Sequence, residues 1–319
     1  MRIGLMIEGQ EGVTWDQWVA LARTCEDHGI GALFRSDHYN GLMGDESRDA
    51  TDAWALIAAL AAVTSTVRLG TLVSPVTFRH PSVLAKMVAT ADHVSGGRVE
   101  LGLGAGWNER EHEAYGFDFP DLGTRFELLE EQAAIIRAQF TDEVVSFAGD
   151  HYRLQELQPL PHPLQSPVPL IIGGSSGSRS AALAARVADE YNHVMASVDD
   201  LPERQARLDA ACEQVGRDPA TLARSQMTGC VVGHTQEEVL ARVERVMAKA
   251  GAEGDPTSFV EQQTGRWVIG TVEEVRDQLG RLEELGVERI MLQHLVHEDL
   301  EMVALIGDEL VSEGSGPAA

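Results

Sequence analysis

The amino-acid sequence predicts an α/β protein, a (β/α)8 TIM barrel with insertion loops at its C-terminal face. Three observations carry this expectation. Short apolar runs alternate with longer amphipathic segments through eight units. No break in composition divides those units, which favours a closed barrel over a doubly wound open sheet. Three of the apolar runs end in polar or glycine-rich stretches, and in parallel α/β proteins ligands bind at the C-terminal ends of strands.

The predicted strands are 2–8, 32–35, 67–73, 99–104, 168–173, 190–194, 225–232 and 289–294, each a short apolar run. The predicted helices are 15–28, 52–63, 81–95, 124–139, 178–188, 201–215, 236–250 and 272–285. Several boundaries have local causes. Thr14 can cap the first helix, and Thr271 with Glu274 three residues on forms a capping box. Pro81 can open its helix at the first turn, where its missing N–H does no harm. Gly29 and Gly286 stand where a left-handed residue ends a helix. The stretch 144–155 reads as a hairpin around Ala148-Gly149-Asp150, and the proline-rich stretch 158–169 as an extended loop. The polar insertion 251–265 is either a lid or a surface loop. Residues 1–311 are expected to form one barrel domain, and 312–319, rich in Gly and Ser, a flexible tail.

The chain of 319 residues carries 25 Lys and Arg against 50 Asp and Glu, a formal net charge of −25. Such a surface repels nucleic acid and anionic membranes, so neither is expected as a partner. No apolar run is long enough for a membrane span, and no leader pattern opens the chain. Cys25, Cys212 and Cys230 are odd in number and far apart, which suggests a reducing, cytoplasmic setting.

Arg35-Ser36-Asp37-His38-Tyr39 is the most informative stretch. An acid and an imidazole stand together where a predicted strand ends. Such a pair can act in proton transfer, or as a hydrogen-bond donor to an electron-rich ring. Adjacent residues on extended chain point to opposite sides, so one should face the barrel mouth and the other its wall. Gly70 to Ser74 places small and β-branched residues at the next strand end. The run Gly102–Gly106 lacks the helix that a dinucleotide fingerprint requires directly after it. It reads instead as a glycine-lined wall, with Asn108 as a polar contact. Glu109, Glu111, His112 and Glu113 read as a solvated helical turn, and no metal site is expected. Gly173-Gly174-Ser175-Ser176 leads into a helix near Ser178, with Arg179 following. Backbone N–H groups, hydroxyls and a helix N-terminus can together hold an anion.

These motifs, with Val76-Thr77-Phe78-Arg79-His80-Pro81, Ser95-Gly96-Gly97-Arg98 and Ala188-Asp189-Glu190, resemble the bacterial luciferase-like superfamily. Its branch that uses coenzyme F420, a deazaflavin, is the nearer match. The resemblance implies a barrel with the flat cofactor at the strand ends and hydride transfer to or from a small organic substrate. It implies His38 as acid or base, with Asp37 positioning it or the ring. It also implies cofactor contacts from Asp37, Thr71, Leu72, Val73, Asn108, Gly173, Gly174, Ser175 and Ser176, and a cis peptide near Leu72-Val73. By its position at the helix start, Arg179 is expected beside the phosphate, the nearest positive charge in sequence. A homodimer is implied, through the helices 52–63 and 81–95. An FMN-dependent monooxygenase is the alternative, and it would need a partner flavin reductase. Trp107 stands where some relatives carry an acid that serves a sugar phosphate, which argues against such a substrate. The loops 39–49, 115–122 and 251–266 are expected to build the substrate pocket.

Overall fold

Alternation along each strand decides which side chains meet at the barrel axis and which meet the helices. On the first strand, Arg2–Ile7, Ile3, Leu5 and Ile7 join the large outer core, while Met6 joins an inner cluster with Phe34, Leu72, Ile171, Met227 and Met291. The structure, a computed structural model, describes residues 1–45 and 47–311; the tail 312–319 lies outside them.

Among the described residues, strands Arg2–Ile7, Ala32–Arg35, Arg68–Thr71, Val99–Gly104, Leu170–Gly174, Glu190–Val194, Ala223–Gly233 and Arg289–Gln293 run parallel in this order. The seventh pairs with the sixth and the eighth, and the eighth pairs with the first, which closes the barrel. All eight predicted strands are present, with end shifts of a few residues. The expected caps are present too. Thr14 and Thr271 each form a capping box, Pro81 opens its helix, and Gly29 and Gly286 have φ of 74° and 85°. The predicted hairpin pairs Val145–Ala148 with Arg153–Leu157.

Beyond residue 250, three elements escaped the sequence reading. Helix Leu300–Leu310 follows the eighth strand, capped by Asp299 Oδ1, which accepts from Met302 N at 3.0 Å. The insertion contains helix Pro256–Gln263, capped by Asp255. Strand Val268–Thr271 then pairs with Cys230–Gly233, the far end of the long seventh strand.

A buried ion network closes the N-terminal end of the barrel. Arg289 donates to Glu100 at 3.1 and 2.8 Å and to Glu190 at 3.2 and 2.8 Å. Arg68 pairs with Glu100 at 2.5 Å from the side. Burial alone would raise the Glu100 pKa. The charges and hydrogen bonds of Arg289 and Arg68 outweigh it and hold Glu100 at about 2.

Candidate active site

At the opposite end of the barrel lies a cavity of about 870 Å³. Its floor is the segment after the third strand, Leu72-Val73, whose peptide bond is cis, where the resemblance implied one. Val73 is seated by glycines. A Cβ on Gly104 would lie 2.5 Å from Val73 Cγ2, and one on Gly173 would lie 2.9 Å from Val73 Cγ1. Those two positions must therefore lack side chains for this floor to form.

The second strand delivers Asp37 and His38 to opposite sides. His38 lines the cavity. Asp37 is buried in the wall, where it accepts from Arg79 at 2.6 and 3.2 Å and from the Ser74 hydroxyl at 2.7 Å. Arg79 also donates to Asp52 at 2.6 Å. Asp37 thus ties the second and third strand ends together rather than facing a ligand. This departs from the expectation that it contacts the cofactor or His38.

His38 has a partner the sequence reading missed. Its Nδ1–H donates to Glu111 Oε2 at 2.8 Å. The other oxygen of Glu111 accepts from the backbone N–H of Tyr39, and from that of Asn40 at 3.3 Å. Glu111 is buried, so the stretch after Asn108 is not a solvated turn. It is helix Glu109–Tyr115, which turns Glu111 and His112 inward. Burial disfavours protonated His38. The hydrogen bond and charge of Glu111, with the charges of Glu8 and Asp37, overcome this and raise its pKa above the ordinary value.

His112 also lines the cavity. Its Nδ1–H donates to the Asn108 carbonyl at 2.6 Å, and its Nε2 meets the Thr77 hydroxyl at 2.5 Å. A carbonyl only accepts, so this contact places a proton on Nδ1. Asn108 lines the cavity and caps the helix, its Oδ1 accepting from Glu111 N at 3.4 Å.

The fifth strand ends in Gly173, Gly174 and Ser175, which line the cavity with Gly177 and Ser180. Helix Ser178–Val187 begins here, and no side chain caps it at Gly177. Its first N–H groups therefore lack an intramolecular acceptor from a side chain, as suits an anion.

Besides Asp37, three expected contacts lie elsewhere. Ser176 is fully buried; its N–H donates to Tyr191 Oη at 2.7 Å, and its hydroxyl meets His193 Nδ1 at 2.9 Å. It braces the loop from behind. Thr71 is buried below the floor, donating to the Gly102 carbonyl at 3.2 Å. Arg179 turns outward, donating to the Gly123 carbonyl at 3.1 Å and to Glu130 at 3.3 Å. Of the three loops expected to build the pocket, Leu42, Met43 and Leu122 supply side chains from the first two. The insertion 251–266 supplies none. Its residues Val260, Gln263, Thr264, Gly265 and Arg266 line a separate cavity of about 390 Å³ outside the seventh strand.

Among the described residues, no group of three His, Cys, Asp or Glu side chains could hold a metal ion. The free cysteines are all buried, and among the described residues no helix is long and apolar enough to cross a membrane.

The luciferase-like monooxygenase family model matches residues 1–289. The chain belongs to this family. A relative from Nakamurella multipartita, named F420-dependent glucose-6-phosphate dehydrogenase, is 30% identical over 91% of this chain and 90% of its own length. The F420-dependent hydroxymycolic acid dehydrogenase of Mycobacterium tuberculosis is 29% identical over 84% of this chain and 76% of its own. Among solved structures, an F420-dependent secondary alcohol dehydrogenase in complex with an F420-acetone adduct superposes with a TM-score of 0.82. It is 19% identical and covers 97% of this chain and 98% of that one, a likeness of fold. This luciferase-like protein is accordingly an enzyme, and its barrel is that of its structural neighbours.

Proposed function

We propose that this protein is an F420-dependent oxidoreductase that transfers hydride between the deazaflavin and a small organic substrate. One observation carries the reading. A single cavity joins a flat floor at Leu72-Val73, an uncapped helix N-terminus at Gly177 and an imidazole at His38. The floor suits a flat ring, because Gly104 and Gly173 leave it free of competing side chains. Gly174, Ser175, Gly177 and Ser180 suit a phosphate, held by backbone N–H groups and hydroxyls. The family membership and the two F420-dependent relatives support the choice of cofactor.

F420, when bound, supplies the hydride donor or acceptor at C5 of its ring. The chain's own residues do the rest. His38 Nδ1 is committed to Glu111, so Nε2 is the nitrogen that exchanges a proton with the substrate. Asn108 offers an amide at the cavity edge. The apolar floor and walls exclude water from the hydride path.

The deciding experiment is a fluorescence titration with F420 and with FMN. F420 is expected to bind more tightly than FMN. FMN binding without F420 binding would overturn the assignment and point to a reduced-flavin monooxygenase served by a flavin reductase.

The geometry also alters what is expected of Arg179. Its guanidinium is partnered by Glu130 and Gly123, away from the phosphate loop. Arg179→Ala is expected to change F420 affinity by less than about threefold, below the scale of a charge-assisted hydrogen bond. A loss of tenfold or more in the same titration, about 1.4 kcal/mol, would place the arginine on the phosphate after all.

A homodimer belongs to the same reading. Val63, Val83 and Val94 are exposed on helices Ala53–Val63 and Pro81–Ser95, apolar surface that a second copy would cover. A cytoplasmic setting accords with three reduced, buried cysteines.

A further inference from the structure

The substrate side of the cavity carries an unusual surface. Trp107 is 67% exposed. A free indole of that size is rare on a surface unless something covers it. It stands edge-on to the His38 ring, with centroids 5.6 Å apart and planes at 73°. Leu42, Met43, Phe78 and Leu295 continue the apolar lining.

The charges around the cavity are equally informative. Among the described residues, no lysine or arginine lines it, while the carboxylates of Glu8 and Glu111 do. A phosphate or carboxylate on the substrate would enter a site without a lysine or arginine, beside two acids, on a chain of net charge −25. Moving an anion out of water without a partner is costly. A cation fares no better by direct pairing. Both oxygens of Glu8 already accept amide hydrogens, from Gln10 at 2.8 Å and from Gln293. Glu111 is committed to His38 and two backbone N–H groups.

We propose that the substrate is an uncharged, mainly apolar alcohol or its carbonyl counterpart, and that Trp107 is the residue that selects it by covering its apolar body beside His38. This rests on the F420-dependent reading above. In the oxidative direction, the carbinol C–H bond breaks and its electron pair leaves as hydride to the deazaflavin. The hydroxyl proton passes to His38 Nε2, and the C–O bond becomes a carbonyl. The reverse direction returns both to the carbonyl compound. A hydroxyl needs only the imidazole as its polar partner, and the imidazole is what the apolar surround leaves available.

The test compares two ligands that share one ring. Cyclohexanone and cyclohexanecarboxylate are titrated into the protein–F420 complex and into the free protein, followed by tryptophan fluorescence and calorimetry. Cyclohexanone is expected to bind at least about tenfold more tightly than the carboxylate. Trp107→Ala is expected to weaken cyclohexanone about tenfold or more, the scale of losing one buried apolar contact face. Trp107→Phe should restore most of that loss, and F420 affinity should hold in both variants. Equal or tighter binding of the carboxylate would overturn the substrate class. Unchanged cyclohexanone affinity in Trp107→Ala would overturn the role of the indole. Absence of F420 binding would instead overturn the cofactor reading, while the titrations of the free protein would still decide the pocket.

Discussion

Replacing His38 with Asn is expected to lower turnover with F420 by about 10²- to 10⁴-fold, the usual contribution of a positioned acid or base. F420 affinity should change little, because His38 lies apart from the phosphate loop at Gly174–Gly177. The Glu111→Gln variant separates proton transfer from positioning. Glutamine keeps the shape and can still meet the ring, but it removes the charge that opposes the burial of His38. The His38 pKa should then fall below its ordinary value, and the corresponding limb of the pH–rate profile should move to lower pH. An NMR titration of the His38 ring reads the same shift without turnover. The sign for stability follows from linkage. A His whose folded pKa is raised contributes stability that is fully present below the unfolded value and is lost as pH rises through the folded value. Wild type should therefore exceed Glu111→Gln in stability more at pH 5 than at pH 9. A His38 pKa unchanged in Glu111→Gln would show that Glu111 does not govern it.

Arg289→Met should destabilise the fold by about 3–5 kcal/mol, the cost of leaving buried carboxylates without their counter-charge. Arg289 is 3% exposed and serves both Glu100 and Glu190 inside the barrel floor. Arg68 remains on Glu100, but Glu190 keeps only a 4.0 Å contact with Arg2. Acid should act on the two proteins differently. In wild type, Glu100 has a depressed pKa, so its contribution is present above its ordinary carboxylate value. That contribution is lost as pH falls from about 4.5 toward about 2. The variant has already lost the share of it that Arg289 supplies, so the gap between the two should narrow over that range. Urea denaturation at pH 7 and pH 4 measures both effects. A cost below about 1 kcal/mol at pH 7, the scale of an exposed pair, would mean that water reaches these carboxylates.

The strands were legible because each is a short apolar run bounded by polar residues, and parallel strands buried on both faces read that way. The helix caps were legible because Thr14, Pro81 and Thr271 act on backbone N–H groups within three or four residues. Helix Leu300–Leu310 was missed although Asp299 announces it, because the count of eight helices was already filled by 272–285. That helix follows the extra strand Val268–Thr271, a pairing to the far end of the seventh strand that no local pattern marks.

What the sequence alone determined about this protein is its local chemistry: the order of strands and helices, the helix caps, and the stretch Asp37-His38 at a strand end. All of these depend on neighbours a few residues away. Only the tertiary structure decided which side chains meet. Glu111 reaches His38 across 73 residues, Arg79 takes Asp37 into the wall across 42, and Arg289 reaches Glu100 across 189. Arg179 looked like a phosphate ligand by position but found Glu130 instead, 49 residues away. An acid on a short helix looks solvated from its neighbours alone. Its burial, and hence the shift it imposes on an imidazole, arises only when the folded barrel brings the loop after the second strand and the helix after the fourth together at one end.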